Sequence, residues 1–472
     1  MKKRVALALA AILTLNLITL SGCGAGGASE VTSAEPAVAQ DDAASDDASS
    51  EAAVETADDN DAGAETEEVS AETGDTDEDA ETASDEEADA EGGNADGFKL
   101  SDGIVMPEVN APALNLPDNE GVNFVKNLGV GFNLGNTFDA YCDPTPADEM
   151  ETETYWHHTY TTQDMIKDIH AYGFDTIRIP VSWHNHVDAD VTISEQWLDR
   201  VNEVVDWAID DGMYVILDIH HDNHPEANGF YPDRAHEAQS KKYISRIWEQ
   251  VAERFADYDE HLIFEGMNEP RLVDTEHEWD LKPGEAECHE AIDCINELNQ
   301  LFVDTVRAAG GNNGTRYLMV PGYAASMDGG TNPFFEMPTD IDGNDSRIIL
   351  SIHAYTPYNF ALEYPGVSDF DIDNKGRTTD INTFMNKLYM DYVSQGTPVI
   401  IGEFGSRDKN GNLQDRVNFT AYFTAYARAR GIPCILWDNN EFTGSGELFG
   451  VYNRKNPENS KTDIIAAMMQ YK

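Results

Sequence analysis

The chain has 472 residues, with 30 Lys+Arg against 88 Asp+Glu and a formal net charge of −58. That length accommodates one large domain or two to three average ones. The charge excludes nucleic acid as a main partner, because holding phosphate needs a basic surface.

In chain order, residues 1–22 read as a targeting segment, with Lys2, Lys3 and Arg4 ahead of an apolar run over 5–20. It runs into Leu20-Ser21-Gly22-Cys23, which resembles the bacterial lipobox. That resemblance implies that Cys23 is the lipid attachment site of an exported lipoprotein anchored to a membrane. Residues 24–97 hold 26 Asp+Glu, no Lys or Arg and no aromatic residue. Such a stretch cannot bury enough apolar area to offset its chain entropy, so 23–100 is expected to be a disordered acidic linker. As a coil it would reach on the order of 50 Å. Runs such as Asp75-Thr76-Asp77-Glu78-Asp79 lack the glycine and terminal glutamate of a calcium loop.

The remainder, 101–472, repeats one theme: a short β-branched run, a polar loop, an amphipathic helix. Strands are expected over 130–134, 176–180, 214–219, 262–265, 317–320, 347–352, 399–401 and 434–436. Helices are expected over 162–172, 194–211, 241–255, 291–309, 381–395, 415–430 and 462–471, with none clear behind the fifth strand. In 291–309, for instance, Ile292, Ile295, Leu298, Phe302 and Val306 recur at three- or four-residue steps. Gly173, Gly212, Gly310, Gly396 and Gly431 stand where helices should end. Such alternation means parallel strands joined by right-handed crossovers. No Gly-x-Gly-x-x-Gly follows the first strand at Asn133-Leu134-Gly135-Asn136, which disfavours an open nucleotide-binding sheet. Eight repeats suit a closed (β/α)8 TIM barrel, an α/β fold.

Chemistry in such a barrel gathers at the carboxyl ends of the strands. There the sequence offers Asn136, then Arg178 and Trp183, His220 and His221, Asn268-Glu269-Pro270, Tyr323, His353 and Tyr355, Glu403, and Trp437-Asp438-Asn439. Glu269 and Glu403 would face each other across the mouth, the carboxylate pair that glycosidic-bond cleavage requires. Arg178 could keep one carboxylate charged, Tyr355 could donate to the nucleophile, and Asn268 could bind a sugar hydroxyl. Trp183, Trp279 and Trp437 could stack on pyranose faces. His220 and His221 could ligate a metal with Asp218 or Asp222, but a third ligand at convincing spacing is missing. Cys142, Cys288, Cys294 and Cys434 lack zinc spacing; Cys288 and Cys294 could pair, or all four could be buried thiols.

Six stretches in order, Gly131–Thr137, Ile177–Trp183, Ile216–His221, Gly266–Pro270, Ser351–Tyr355 and Ile401–Gly405, resemble glycoside hydrolase family 5, the cellulase family. The resemblance implies Glu269 as general acid/base and Glu403 as nucleophile, with Arg178, His220, Asn268, His353, Tyr355 and Trp437 around the sugar. Asn136, His221 and Tyr323 complete the expected substrate contacts. The stretches 182–186, 355–360 and 449–454 look most like the endoglucanase branch that also takes xyloglucan and mixed-linkage glucan. The implied reaction is retaining endo-β-1,4-glucan hydrolysis by double displacement, without metal or organic cofactor. A β-mannanase or other hemicellulase is the alternative within the class, and a non-catalytic glycan-binding lipoprotein the alternative outside it. The expected partners are a β-glucan and, through Cys23, a membrane; the chain is expected to be monomeric. Phe132, where relatives often carry Trp, is expected to alter packing alone.

Overall fold

The computed structural model describes residues 97–341 and 343–472; the expectations for the targeting segment, Cys23 and most of the acidic linker lie outside the described residues. Residues 98–119 run over the flank of the fold. Phe98 stacks on Tyr172 at 6.2 Å, Ser101 N donates to Asp463 at 2.7 Å, and Leu114 N donates to Ala429 O at 2.9 Å. Helix α1 (Glu120–Asn127) follows, capped by the Asn119 side chain on Val122 N at 2.8 Å.

Eight parallel strands then close a barrel in sequence order, β1 (Val130–Leu134) pairing with β2 (Thr176–Ile179) on one side and β8 (Cys434–Asp438) on the other. The order is α2 (Gln163–Ala171), β2 (Thr176–Ile179), α3 (Glu195–Asp210), β3 (Tyr214–Asp218), α4 (Glu237–Arg254), β4 (Leu262–Glu265), α5 (Ala286–Ala308) and β5 (Leu318–Pro321). It continues through α6 (Met327–Thr331), β6 (Ile348–Ala354), α7 (Tyr358–Ala361), α8 (Lys375–Asp391), β7 (Val399–Phe404), α9 (Leu413–Arg428), β8 (Cys434–Asp438) and α10 (Thr462–Met469). The fifth strand does have a helix behind it, α6, but of five residues; its signal is a Ser326 cap on Gly329 N rather than apolar periodicity. The five helix-ending glycines all have positive φ, from 69° to 99°, a region where a side chain would be strained.

Both faces of these strands are buried, which is why they read as unbroken apolar runs. Side chains alternate between the helix layer and the barrel interior. Ile216, Ile263, Met319, Ile349, Ile400 and Ile435 point inward and form one cluster with Phe124, Val125 and Leu128, so α1 plugs the amino-terminal end. Two residues further along β1, β2, β3, β4 and β6 the inward position turns polar: Asn133, Arg178, Asp218, Glu265 and Ser351, all buried. In β7 the pairing slips. Ile352 faces Ile401 but His353 faces Glu403, leaving Gly402 as an extra residue. This bulge turns Glu403 to the interior. A Cβ on Gly402 would lie 3.2 Å from His353 Nε2 and 3.3 Å from Ser351 Oγ, so the position favours glycine. Phe132 packs outward against Phe174 and Tyr452, as expected of a residue concerned with packing. Cys142, Cys288, Cys294 and Cys434 are all free and buried.

Candidate active site

Arg178, fully buried at the end of β2, organises the site. Nε donates to Glu265 at 2.6 Å, and Nη2 reaches Asp218 at 2.7 Å and Asn268 at 2.8 Å. Nη1 donates to Glu403 at 2.9 Å and to Asn133 Oδ1 at 3.0 Å. Burial works against the guanidinium's charge, but three carboxylates outweigh it and raise its pKa. The exchange is unequal. Burial lifts Asp218 to about 6 even with Arg178 beside it.

Glu403 takes a second donor, the Tyr355 hydroxyl at 2.8 Å from Oε2. Burial and the Glu403 charge hold the Tyr355 hydroxyl protonated, well above its ordinary value, so it acts as a donor. On the opposite side, His353 Nδ1 lies 2.8 Å from Glu269 Oε1 and 3.6 Å from Glu403 Oε2. One oxygen of each glutamate and one nitrogen of His353 lie within 4.8 Å of one another. Retaining glycosidases hold their carboxyl groups about 5–5.5 Å apart, whereas inverting ones need about 6.5–9.5 Å to admit a water. The spacing fits double displacement.

The proton of this trio decides who is acid. Burial raises Glu269, but the hydrogen bond and charge of a protonated His353, with Arg271, hold it at about 2. Burial raises Glu403, helped by Glu269 and opposed by His353, Arg178 and Tyr355. Burial opposes the His353 cation, yet the two glutamates raise its pKa. With the proton on His353 the order of the glutamates is therefore the reverse of what acid and nucleophile need. Two features favour moving the proton to Glu269. His353 Nε2 is buried without a hydrogen-bond partner among the described residues, and an unpaired charged N–H is costlier than an unpaired neutral one. Arg178 can only donate, and so serves Glu403 as a carboxylate. Moving the proton across the 2.8 Å contact leaves Glu269 as acid and Glu403 ionised.

Around the pair, His220 donates Nδ1–H to Asp218 at 2.7 Å, while burial keeps the ring neutral. Its ring is parallel to Trp437, 5.9 Å away. Asn268 gives its oxygen to Arg178, which leaves its NH2 group for a ligand. His221, its side chain 34% exposed, sits 3.7 Å from Asp139 and beside Tyr141 and Trp156. Asn136 is half-buried at φ 59°, its N–H turned to Asp139 at 3.0 Å. Cys23 lies outside the described residues.

Two expected sugar contacts are corrected. Tyr323 is 1% exposed, and its hydroxyl is bound between Leu272 N at 3.0 Å and His277 O at 2.7 Å. It braces the loop after β4 instead of facing the opening. Trp183, also 1% exposed, donates to Asp218 O at 3.0 Å and belongs to the core. Trp279 lies under Arg271 at 4.1 Å. Asp222 does not join His220 and His221 in a cluster of ligand atoms; one of its oxygens accepts from Trp183 N, His184 N and Tyr243 OH. The acid that does stand with His220 and His221 is Asp139, within 4.8 Å of both. By donor type that trio could hold a cation, but Asp139 already accepts from Asn136 N and Thr137 N at 3.0 and 2.7 Å.

Fold and site together define a (β/α)8 glycoside hydrolase of the retaining type. The cellulase (glycosyl hydrolase family 5) model matches residues 138–443. The chain belongs to that family. It is 42% identical over 337 residues to endoglucanase B of Neocallimastix patriciarum, covering 70% of this chain and 67% of that one. A mutant of the family 5 lichenase of Caldicellulosiruptor sp. F32, in complex with cellotetraose, superposes with a TM-score of 0.76 at 50% identity, covering 78% of this chain and 99% of the other. XEG5A, a xyloglucan-specific endo-β-1,4-glucanase from a metagenomic library in complex with cellotriose, gives 0.67 at 36% identity, over 74% and 98%.

Proposed function

We propose that the protein is a retaining endo-β-1,4-glucanase acting on cellulose-type, mixed-linkage and xyloglucan chains, delivered to the cell surface as a lipoprotein. The spacing of Glu269 and Glu403 carries the reaction. Glu403 attacks the anomeric carbon while Glu269 protonates the departing oxygen; Glu269 then deprotonates the water that releases the glycosyl-enzyme. Arg178 and Tyr355 hold the nucleophile charged, and His353 passes the proton to and from Glu269. The lichenase and xyloglucanase neighbours support a substrate range wider than cellulose. Initial rates on carboxymethyl-cellulose, lichenan, xyloglucan, xylan and mannan test it. Rates on mannan above those on every glucan would overturn the substrate assignment.

The tether reading rests on Lys2-Lys3-Arg4, the apolar run, Cys23 and the acidic stretch behind it. Metabolic palmitate labelling of the full-length chain and of Cys23→Ser tests it. Equal labelling of both, or none of either, refutes the lipid site.

A further inference from the structure

Beyond the nucleophile strand lies a buried ammonium that the displacement does not use. Lys409 is 2% exposed, and its Nζ donates to the carbonyls of Phe360 at 2.6 Å, Asn359 at 2.8 Å and Val367 at 3.0 Å. An ammonium has three N–H donors, and all three are taken. All the acceptors belong to the loop 356–367 that follows β6. Two come from the single-turn helix α7, whose last carbonyls have no partner within the helix. Val367 N closes the loop on Asn359 O at 2.8 Å. Gly366 turns through φ 49°, where a Cβ would meet Asn359 O at 2.2 Å and Lys409 Nζ at 3.0 Å. The loop is folded round the ammonium as carbonyl oxygens ring an alkali cation.

Arg407 extends the hold. Its N–H donates to Ala361 O at 3.0 Å, and its guanidinium donates to Leu362 O at 3.2 Å and to Gly446 O at 2.7 Å. Asp408 N donates to Leu448 O at 2.8 Å. Four consecutive carbonyls, 359 to 362, are therefore fastened to the segment that follows the nucleophile. Tyr355, the donor to Glu403, immediately precedes the fastened loop and packs edge-on against Phe449, 5.6 Å away.

We infer that Lys409 is a positioning residue: by pinning the loop after β6, it holds the Tyr355 hydroxyl on the nucleophile. The inference rests on the hydrolase reading, and wild-type turnover of a β-glucan is the control that keeps the two apart.

Lys409→Met should lower kcat on β-glucan about tenfold with KM little changed. It should also move the acidic limb of the kcat/KM profile to higher pH, as Tyr355→Phe does. The double variant should be no worse than Tyr355→Phe alone. Lys409→Ala should regain activity with methylammonium, but not with tetramethylammonium at equal ionic strength. If Lys409→Met does not fold, Gly366→Ala, which pushes the loop away from the ammonium, should shift the same limb. A folded Lys409→Met with the wild-type limb and kcat but a lower Tm would overturn the inference, as would losses that multiply in the double variant.

Discussion

His353 Nδ1 stands 2.8 Å from Glu269 Oε1, close enough for the acid and a buried imidazole to share one proton. The arrangement makes the two glutamates unequal in a measurable way. Glu269→Gln should cost at least about a hundredfold in kcat on glucan, and far less on an aryl cellobioside whose phenolate leaves without a proton. Glu403→Gln should abolish both. A 2-fluoro cellobioside should label the peptide containing residue 403, and a label found elsewhere removes it as nucleophile.

Activity should follow a bell-shaped pH profile. The acidic limb reports ionisation of Glu403, whose pKa is raised above the ordinary value by burial, so it should lie above pH 4.5. The alkaline limb reports loss of the proton that Glu269 shares with His353, itself raised above 6.5. Tyr355→Phe removes a hydrogen bond to the charged form and should move the acidic limb up by about one unit. No movement would mean that Tyr355 is spectator to that ionisation.

Asp218 gives a stability signature of opposite sign to an ordinary paired carboxylate. Its folded pKa, about 6 from burial, exceeds the ordinary aspartate value of 3.8. The folded state then holds the proton more tightly, so the contribution is full below pH 3.8 and lost as pH rises through 6. Urea titrations should show wild type losing stability relative to Asp218→Asn between pH 4 and 6.5. A constant difference across that range would exclude the shift.

Arg178→Met leaves Asp218, Glu265 and Glu403 buried around an uncharged thioether. Removing one side of a buried ion cluster costs about 3–5 kcal/mol. The urea midpoint should fall accordingly, and turnover should vanish with it. Retention of the wild-type midpoint would show that the carboxylates are neutral in the fold.

Truncation should divide at the start of the described chain. Removing 1–96 should leave turnover on soluble glucan unchanged, since the site is built from residues beyond it. Removing 1–116 also takes the contacts of Ser101 with Asp463, Val109 with Tyr471 and Leu116 with Gly431. Its Tm should drop by several degrees; an unchanged Tm would make 98–116 dispensable.

Much of this was legible in the sequence because a parallel barrel repeats itself. Buried strands such as Tyr214–Ile219 announce themselves by β-branched density, and the residue just past each one falls at the mouth. Glu269, Glu403, Arg178, His353 and Tyr355 were read at or near strand ends, and the structure brings them together there. What stayed hidden lies within the strands. Asn133 and Glu265 sit at inward positions inside β1 and β4 and bind Arg178, yet a polar residue in a short apolar run carries no mark of which face it takes. Glu403 faces inward only because Gly402 bulges, a shift that periodicity cannot register. Tyr323 and Trp183 were misread for the converse reason: position past a strand does not say whether a loop folds over the side chain. Asp139 was missed because it lies three residues beyond Asn136, and only the turn at φ 59° brings it back.

The four sealed thiols have a practical consequence. At 0–6% exposure, Cys142, Cys288, Cys294 and Cys434 can meet a bulky reagent only when the surrounding packing parts. Their alkylation rates would therefore serve as four built-in clocks for the breathing of separate sectors of the scaffold. Because none of these four is paired, the described barrel is held together without a cross-link among them.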